Sequence, residues 1–174
     1  TDPEMGANLW FFFFAEWADL LAVPDLEGLV AGLGPLVARA SAADAQHLAA
    51  EFSGRFYIDR PALPADALHC NTSYLTAVAN DYSYDVIYSR LIKGIGNKGD
   101  VLVGLSTSGN SKNIYNAFEV AKEKGMTTIA FTGLTGGTMK SLSDYLINVP
   151  STDTPRIQES HIMTGHIICE LVED

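Results

Sequence analysis

The chain has 174 residues, 47% of them hydrophobic, which suits one domain with apolar packing on both faces of a sheet. Asp and Glu number 21 against 11 Lys and Arg, for a formal charge of −10 and a pI near 4.7. That balance, with scattered cations, excludes a nucleic-acid partner, because polyanion binding needs clustered Lys and Arg to release phosphate counterions. An anionic ligand would have to be held by local donors such as helix N-terminal amides and hydroxyls.

Cys70 and Cys169 are too far apart in sequence for a zinc knuckle or a redox pair, and two alone make no secreted disulfide framework, so reduced thiols and a cytoplasmic location are expected. The first residues, Thr1-Asp2-Pro3-Glu4, contain no basic leader and no bilayer-length apolar run follows, so the protein is expected to be soluble, without a membrane partner. Their position ahead of Met5 reads as an expression remnant.

From Ala7 to Ala40 the chain is apolar and almost free of basic residues. Trp10, Phe11 to Phe14, Trp17, Leu20 and Leu21 read as one helix, and Asp25 caps a second through Leu29 and Leu33, ending near Gly34-Pro35. Aromatics around so much of a helix predict burial against another subunit. Residues 1–40 are therefore read as a helical oligomerisation segment and 41–174 as the main domain.

Ser41-Ala-Ala-Asp44 has capping-box spacing, and helical periodicity runs through Leu48, Phe52 and Phe56 until Pro61 and Pro64. Leu75 to Ala79 opens another helix, interrupted around Asn80-Asp81-Tyr82. Next come an apolar strand, Val101 to Leu105, a polar loop, Ser106-Thr-Ser-Gly-Asn-Ser111, and a helix through Ile114, Phe118 and Ala121 closed by Gly125. Thr127–Phe131 and Leu146–Val149 repeat the strand pattern, with Gly133, Gly136 and Gly137 between them, and Ile157–Val172 forms a closing helix. Strands alternating with helices predict an α/β three-layer sandwich with a central parallel sheet, whose ligands bind at the carboxyl ends of the strands.

The polar loop crowds the hydroxyls of Ser106, Thr107, Ser108 and Ser111 where a strand meets a helix, with Gly109 allowing close backbone approach. Hydroxyls, free amides and the helix N-terminus suit a phosphate, and the plain alternative is an ordinary capped turn. The spacing is that of neither a Walker loop nor a dinucleotide fingerprint. His47 and Glu51, four apart, share a helix face; Gln158 and His166 lie about two turns apart on the last helix. Such a set from two helices could hold a divalent metal or carry out proton transfer. A surface His47–Glu51 pair and a buried, satisfied His166 are the alternatives.

Leu105-Ser-Thr-Ser-Gly-Asn-Ser111 after an apolar strand resembles the phosphate loop of sugar isomerase (SIS) domains. Ser41-Ala-Ala-Asp-Ala-Gln-His47 with Glu51, Asn80-Asp81-Tyr82, and Arg156-Ile-Gln-Glu159 with Gly165-His166 resemble one group of them, the phosphoheptose isomerases, over Ser41 to Glu173. The resemblance implies a flavodoxin-like fold, a homotetramer and an isomerase that converts sedoheptulose 7-phosphate to D-glycero-D-manno-heptose 7-phosphate for lipopolysaccharide or surface glycans. It further implies zinc bound by His47, Glu51, Gln158 and His166, with Glu51 as general base and His166 as general acid. Sugar or phosphate contacts are implied for Ser41, Arg55, Asn80, Asp81, Ser106, Thr107, Ser108, Ser111 and Gln158, with Thr132 a further candidate; His161, at another helical angle, is read as structural.

The resemblance has departures. The family's serine at Ser41 follows an apolar strand and a Gly-Asn-Gly-Gly turn, but here it follows Leu36-Val37-Ala38-Arg39-Ala40, so that strand and turn are expected to be missing ahead of Ser41. Pro155 stands where some members carry a polar residue. A different class also competes: a non-enzymatic SIS-fold protein that binds the replication initiator DnaA. It lacks the paired glutamate and histidine that this chain retains as Glu51 and His166. A sugar-phosphate-sensing SIS module is disfavoured because no DNA-binding or amidotransferase segment accompanies the domain.

Overall fold

A computed structural model describes residues 41–173 and, as backbone alone, Pro35–Arg39. These belong to one compact unit, Gly32–Asp174; the other, Thr1–Ala31, lies outside the described residues, as do the two helices expected there. Among the described residues no helix is long and apolar enough to cross a membrane.

Five parallel strands form one sheet in the order β2-β1-β3-β4-β5: β1 Pro35–Arg39, β2 Asp66–Ala67, β3 Val101–Ser106, β4 Thr127–Thr132 and β5 Tyr145–Asn148. The order reverses between β1 and β3, the switch point at which open α/β sheets open a crevice beyond their carboxyl ends. β1 corrects the expectation of a missing strand. Pro35 to Arg39 pairs in continuous register with Val101 to Leu105, leaving one residue, Ala40, before the Ser41 cap. The β-branched and apolar run Leu36-Val37-Ala38 is short, but a strand flanked on both sides gains its backbone hydrogen bonds from two neighbours and needs little length. The short β2 went unread because two residues between Pro64 and His69 carry no periodicity.

The helices are α1 Ala42–Ser53, α2 Thr72–Asp81, α3 Ile87–Ile95, α4 Lys112–Lys124 and α5 Thr154–Glu173, with 3-10 turns at Tyr84–Val86 and Thr138–Leu142. One side of the sheet carries the larger core, in which Leu102 and Ala130 meet Ile87, Tyr88 and Ile92 of α3 and Ile114, Phe118 and Ala121 of α4. α1 and α5 pack together, α1 through Ala45, Leu48, Ala49 and Phe52 at positions i, i+3, i+4 and i+7. A methyl group on Gly165 of α5 would sit 2.6 Å from Leu48 Cδ2, so this glycine permits the close approach of the two helices.

α1 ends sooner than its sequence pattern implies. Gly54 caps the helix, its N–H bonding to Ala50 O at 2.8 Å, and Phe56 lies beyond it. The chain then wraps past the end of α5, where Glu173 accepts the amides of Phe56, Tyr57 and Ile58 at 2.8, 2.6 and 2.9 Å and pairs with Arg60 at 3.1 Å. Burial raises the Glu173 carboxyl, but the three amides and Arg60 outweigh it and hold the group at about 2. A depressed folded-state value means that the anchor's contribution is complete above the ordinary 4.5 and disappears as pH falls towards 2. The amide signals of Phe56, Tyr57 and Ile58 are therefore expected to titrate together with a midpoint near 2. A midpoint near 4.5 would mean that the carboxylate is not held in this way.

Candidate active site

The loop after β3 lies beside the switch point. Ser106 ends the strand, and its hydroxyl meets that of Ser111, the cap of α4, at 2.9 Å across the turn. Ser111 makes no side-chain capping bond; its carbonyl instead takes the amides of Ile114 and Tyr115. Thr107 is half-buried and Ser108 is exposed. The first amides of a helix of 13 residues open here, supplying positive potential without a lysine in the loop. Lys112, the nearest cation in sequence, is paired with Asp85 at 2.8 Å, and that contact raises its pKa.

A second loop buttresses the first. Gly109 has φ +67° and its carbonyl accepts Met139 N at 3.0 Å, while Asn110 Oδ1 accepts Thr138 N at 2.9 Å and Thr107 O accepts Gly133 N at 3.0 Å. Gly136 and Gly137, also at positive φ, allow the two backbones to touch. The Gly133, Gly136 and Gly137 cluster was visible in the sequence, but its service to the Ser106–Ser111 loop was not. Thr132, a candidate substrate contact, is fully buried at the end of β4. Asn148 Nδ2 donates to its hydroxyl at 3.3 Å and His161 Nε2 donates to its carbonyl at 3.1 Å. His161 is thus buried and bonded to the backbone of β4, apart from the His47–Glu51–His166 cluster. Burial lowers its pKa, against the opposing pull of the Thr132 carbonyl and the Asp44 charge. Since Thr132 pairs with Ser106, this bond also moors α5 beside the loop.

Ser41 caps α1 with extended backbone, at the end of β1 and next to the switch point. Its hydroxyl makes no capping bond, so the capping-box spacing marks the helix start without the box forming. Six residues on, His47 Nε2 lies 3.3 Å from Glu51 Oε1 and 3.0 Å from His166 Nε2 of α5. The imidazole pair needs one ring to donate and the other to accept. Phe56 covers His166 with ring centroids 5.4 Å apart, a partner that the sequence did not reveal.

The other expected residues are dispersed. Gln158 is exposed on α5, about 12 Å along the axis from His166, and no hydrogen bond joins it to the triad. Arg55 is exposed and reaches the carbonyl of Tyr57 at 3.5 Å. Asn80 and Asp81 end α2, exposed and bonded to each other at 3.3 Å. The turn after them is tied to α4 by Lys112–Asp85 and by Asn116 donating to Asp85 O at 3.0 Å. Cys169 is buried, and its thiol is pushed up to about 12, first by burial and then by Glu51 and Glu173, which keeps it inert.

The donor set fits a divalent metal. One nitrogen from each of His47 and His166 and one oxygen from Glu51 lie within 4.8 Å of one another. The 3.0 and 3.3 Å separations approach the ~3.3 Å edge of a tetrahedron with metal–ligand bonds near 2.0–2.1 Å. Two imidazoles and a carboxylate are also the ligands of open catalytic zinc sites.

The five-stranded parallel sheet has the order of a flavodoxin-like α/β fold, and the SIS domain family model matches residues 38–133, which makes this an SIS domain. The phosphoheptose isomerase of Burkholderia pseudomallei (strain 1710b) is 60% identical over 133 residues, covering 76% of this chain and 68% of that protein. That of Sulfurimonas denitrificans is 54% identical over 149 residues, 86% of this chain and 74% of its own length. The structure of phosphoheptose isomerase GmhA from Neisseria gonorrhoeae superposes with a TM-score of 0.79 at 37% identity, over 98% of this chain and 97% of that one. This chain belongs to the phosphoheptose isomerase family and is an isomerase.

Proposed function

We propose that the protein interconverts sedoheptulose 7-phosphate and D-glycero-D-manno-heptose 7-phosphate through an enediol, in the cytoplasm, on a route to lipopolysaccharide or another surface glycan. The observation that carries the chemistry is the meeting of His47, Glu51 and His166 from two helices that both start beside the phosphate loop. The relatives' shared name supports the substrate.

The substrate has its phosphate at one end and its carbonyl at the other, so it needs two anchors. The hydroxyls of Ser106, Thr107, Ser108 and Ser111 and the amides opening α4 hold the phosphate, with Ser41 across the switch point. Glu51 takes the C1 proton of the ketose and returns it to C2, while His166 moves the proton between the O1 and O2 oxygens. Asn80, Asp81, Arg55 and Gln158 serve as sugar-hydroxyl contacts. His47, Glu51 and His166 would hold zinc, which would supply Lewis-acid polarisation of the carbonyl when bound; Gln158, exposed and about 12 Å along α5 from His166, is left as a sugar contact. A homotetramer is the expected assembly, supported by the apolar sequence before β1.

The test is turnover of sedoheptulose 7-phosphate by the full chain, before and after chelation, with Zn²⁺ restored. Aldoheptose phosphate formed, lost with chelator and recovered with Zn²⁺, is the expected result. Turnover indifferent to chelator would leave an acid–base isomerase without a working metal, and no turnover by folded, Zn²⁺-loaded protein would contradict the proposal.

A further inference from the structure

The end of α1 has an unusual keeper. Its last turn contains no basic residue, yet the carbonyls of Glu51 and Phe52, which have no partner within the helix, are taken by Arg60 at 3.1 and 2.9 Å. A guanidinium at a helix C-terminus also meets the favourable end of the dipole. Arg60 is itself fixed by Glu173, the last residue of α5, and the Glu173 side chain is only 1% exposed. The same carboxylate gathers the amides of Phe56, Tyr57 and Ile58. Phe56, thus fixed, lies over His166, seven residues before Glu173 on the same helix.

We propose that Glu173 and Arg60 form a positioning clamp for the triad: through the Glu51 carbonyl they hold the helix that carries His47 and Glu51, and through Phe56 they hold the ring of His166. Neither residue touches the reacting groups. Three amides donate to the two carboxylate oxygens and the Arg60 guanidinium pairs with one of them at 3.1 Å, an arrangement that offsets a buried charge and leaves few alternative geometries. The two helices already meet closely at Gly165 and Leu48, so a small splay at their ends is transmitted to the 3.0 Å His47–His166 contact. The role deepens the isomerase reading for the activity arm of its test and is independent of that reading for the other arms.

The variants are Glu173→Ala, Glu173→Gln, Phe56→Leu and the double Glu173→Ala/Phe56→Leu. Asp144→Asn is the control. Asp144 is another anchoring carboxylate, bonded to Thr128 N at 2.8 Å and Thr128 Oγ1 at 2.9 Å and paired with Lys122, at the opposite end of the strands. Three readouts apply at a temperature where each variant is folded: Zn²⁺ affinity of the metal-free chain, the His166 ring proton shifts without metal, and kcat against KM on sedoheptulose 7-phosphate. Loss of an outer partner of metal ligands costs about 10–100-fold in affinity or activity. Glu173→Ala is expected to show that loss in Zn²⁺ affinity and in kcat, with KM within about twofold and displaced His166 shifts, and the double variant to be little worse than either single. Asp144→Asn is expected to lower Tm alone. Should Glu173→Ala fail to fold, Glu173→Gln, which keeps the shape but sets an NH₂ group against an amide, decides. Unchanged Zn²⁺ affinity and unchanged His166 shifts in a folded Glu173 variant would overturn the clamp. A wild type without turnover would sink the isomerase reading while the Zn²⁺ and shift measurements still judged the clamp.

Discussion

Glu51→Gln and His166→Gln are each expected to lower kcat on sedoheptulose 7-phosphate by about 10²–10⁴-fold, the usual worth of a positioned acid or base. Glutamine matches glutamate in shape, so Glu51→Gln keeps the packing of α1, whose buried face is Ala45, Leu48, Ala49 and Phe52. What it loses is the capacity to accept a proton. KM is expected to change only a few-fold, because the proposed function puts the phosphate at the other anchor, on Ser106 to Ser111. The double variant is expected to be little worse than either single, since the two groups serve one proton-transfer sequence and such effects do not add. Steady-state kinetics on variants with unaltered thermal melts make the check, and kcat within threefold of wild type in either would remove that residue from the acid–base pair.

Gly109→Ala is expected to damage the other anchor. A Cβ there would overlap the carbonyl oxygen of Gly136 and lie 2.8 Å from Gly137 N, and φ +67° is unfavourable for alanine by about 1–2 kcal/mol. The two loops must part, breaking the Met139 N–Gly109 O and Thr138 N–Asn110 Oδ1 bonds that join them. Hydrogen bonds to a charged group contribute about 1.5–3 kcal/mol, so loss of one such contact predicts a KM about 10–150-fold higher, with a smaller change in kcat. The triad variants and the loop variant should therefore separate, one class in kcat and the other in KM. A Gly109→Ala protein with wild-type KM would show that the loop is not the phosphate anchor.

The sequence revealed most where one element carries its own signal. Val101 to Gly125 reads as strand, loop and helix because apolar run, hydroxyl loop and helical period follow in order, and the structure keeps those bounds to within a residue. His47 and Glu51 could be paired from a helical period, and His166 joined them through the family resemblance; their meeting is the 3.0 and 3.3 Å contacts. Legibility failed where partners are distant in sequence or the element is short. β1 lacked the expected glycine turn, and only its pairing with Val101 to Leu105 on one side and Asp66–Ala67 on the other makes Pro35–Arg39 a strand. Phe56 looked like one more helical position, whereas Gly54 stops the helix and Glu173, 117 residues away, sets where Phe56 lies. The Gly133, Gly136 and Gly137 cluster announced a loop but not its contact with Gly109.

The central claim is tested most directly by following sedoheptulose 7-phosphate with the Zn²⁺-loaded full chain in D₂O by NMR. An enediol route, in which Glu51 carries the proton and can exchange it with solvent, predicts an aldoheptose 7-phosphate with deuterium at C2. No aldoheptose phosphate, or product carrying only protium at C2 after many turnovers, would contradict it.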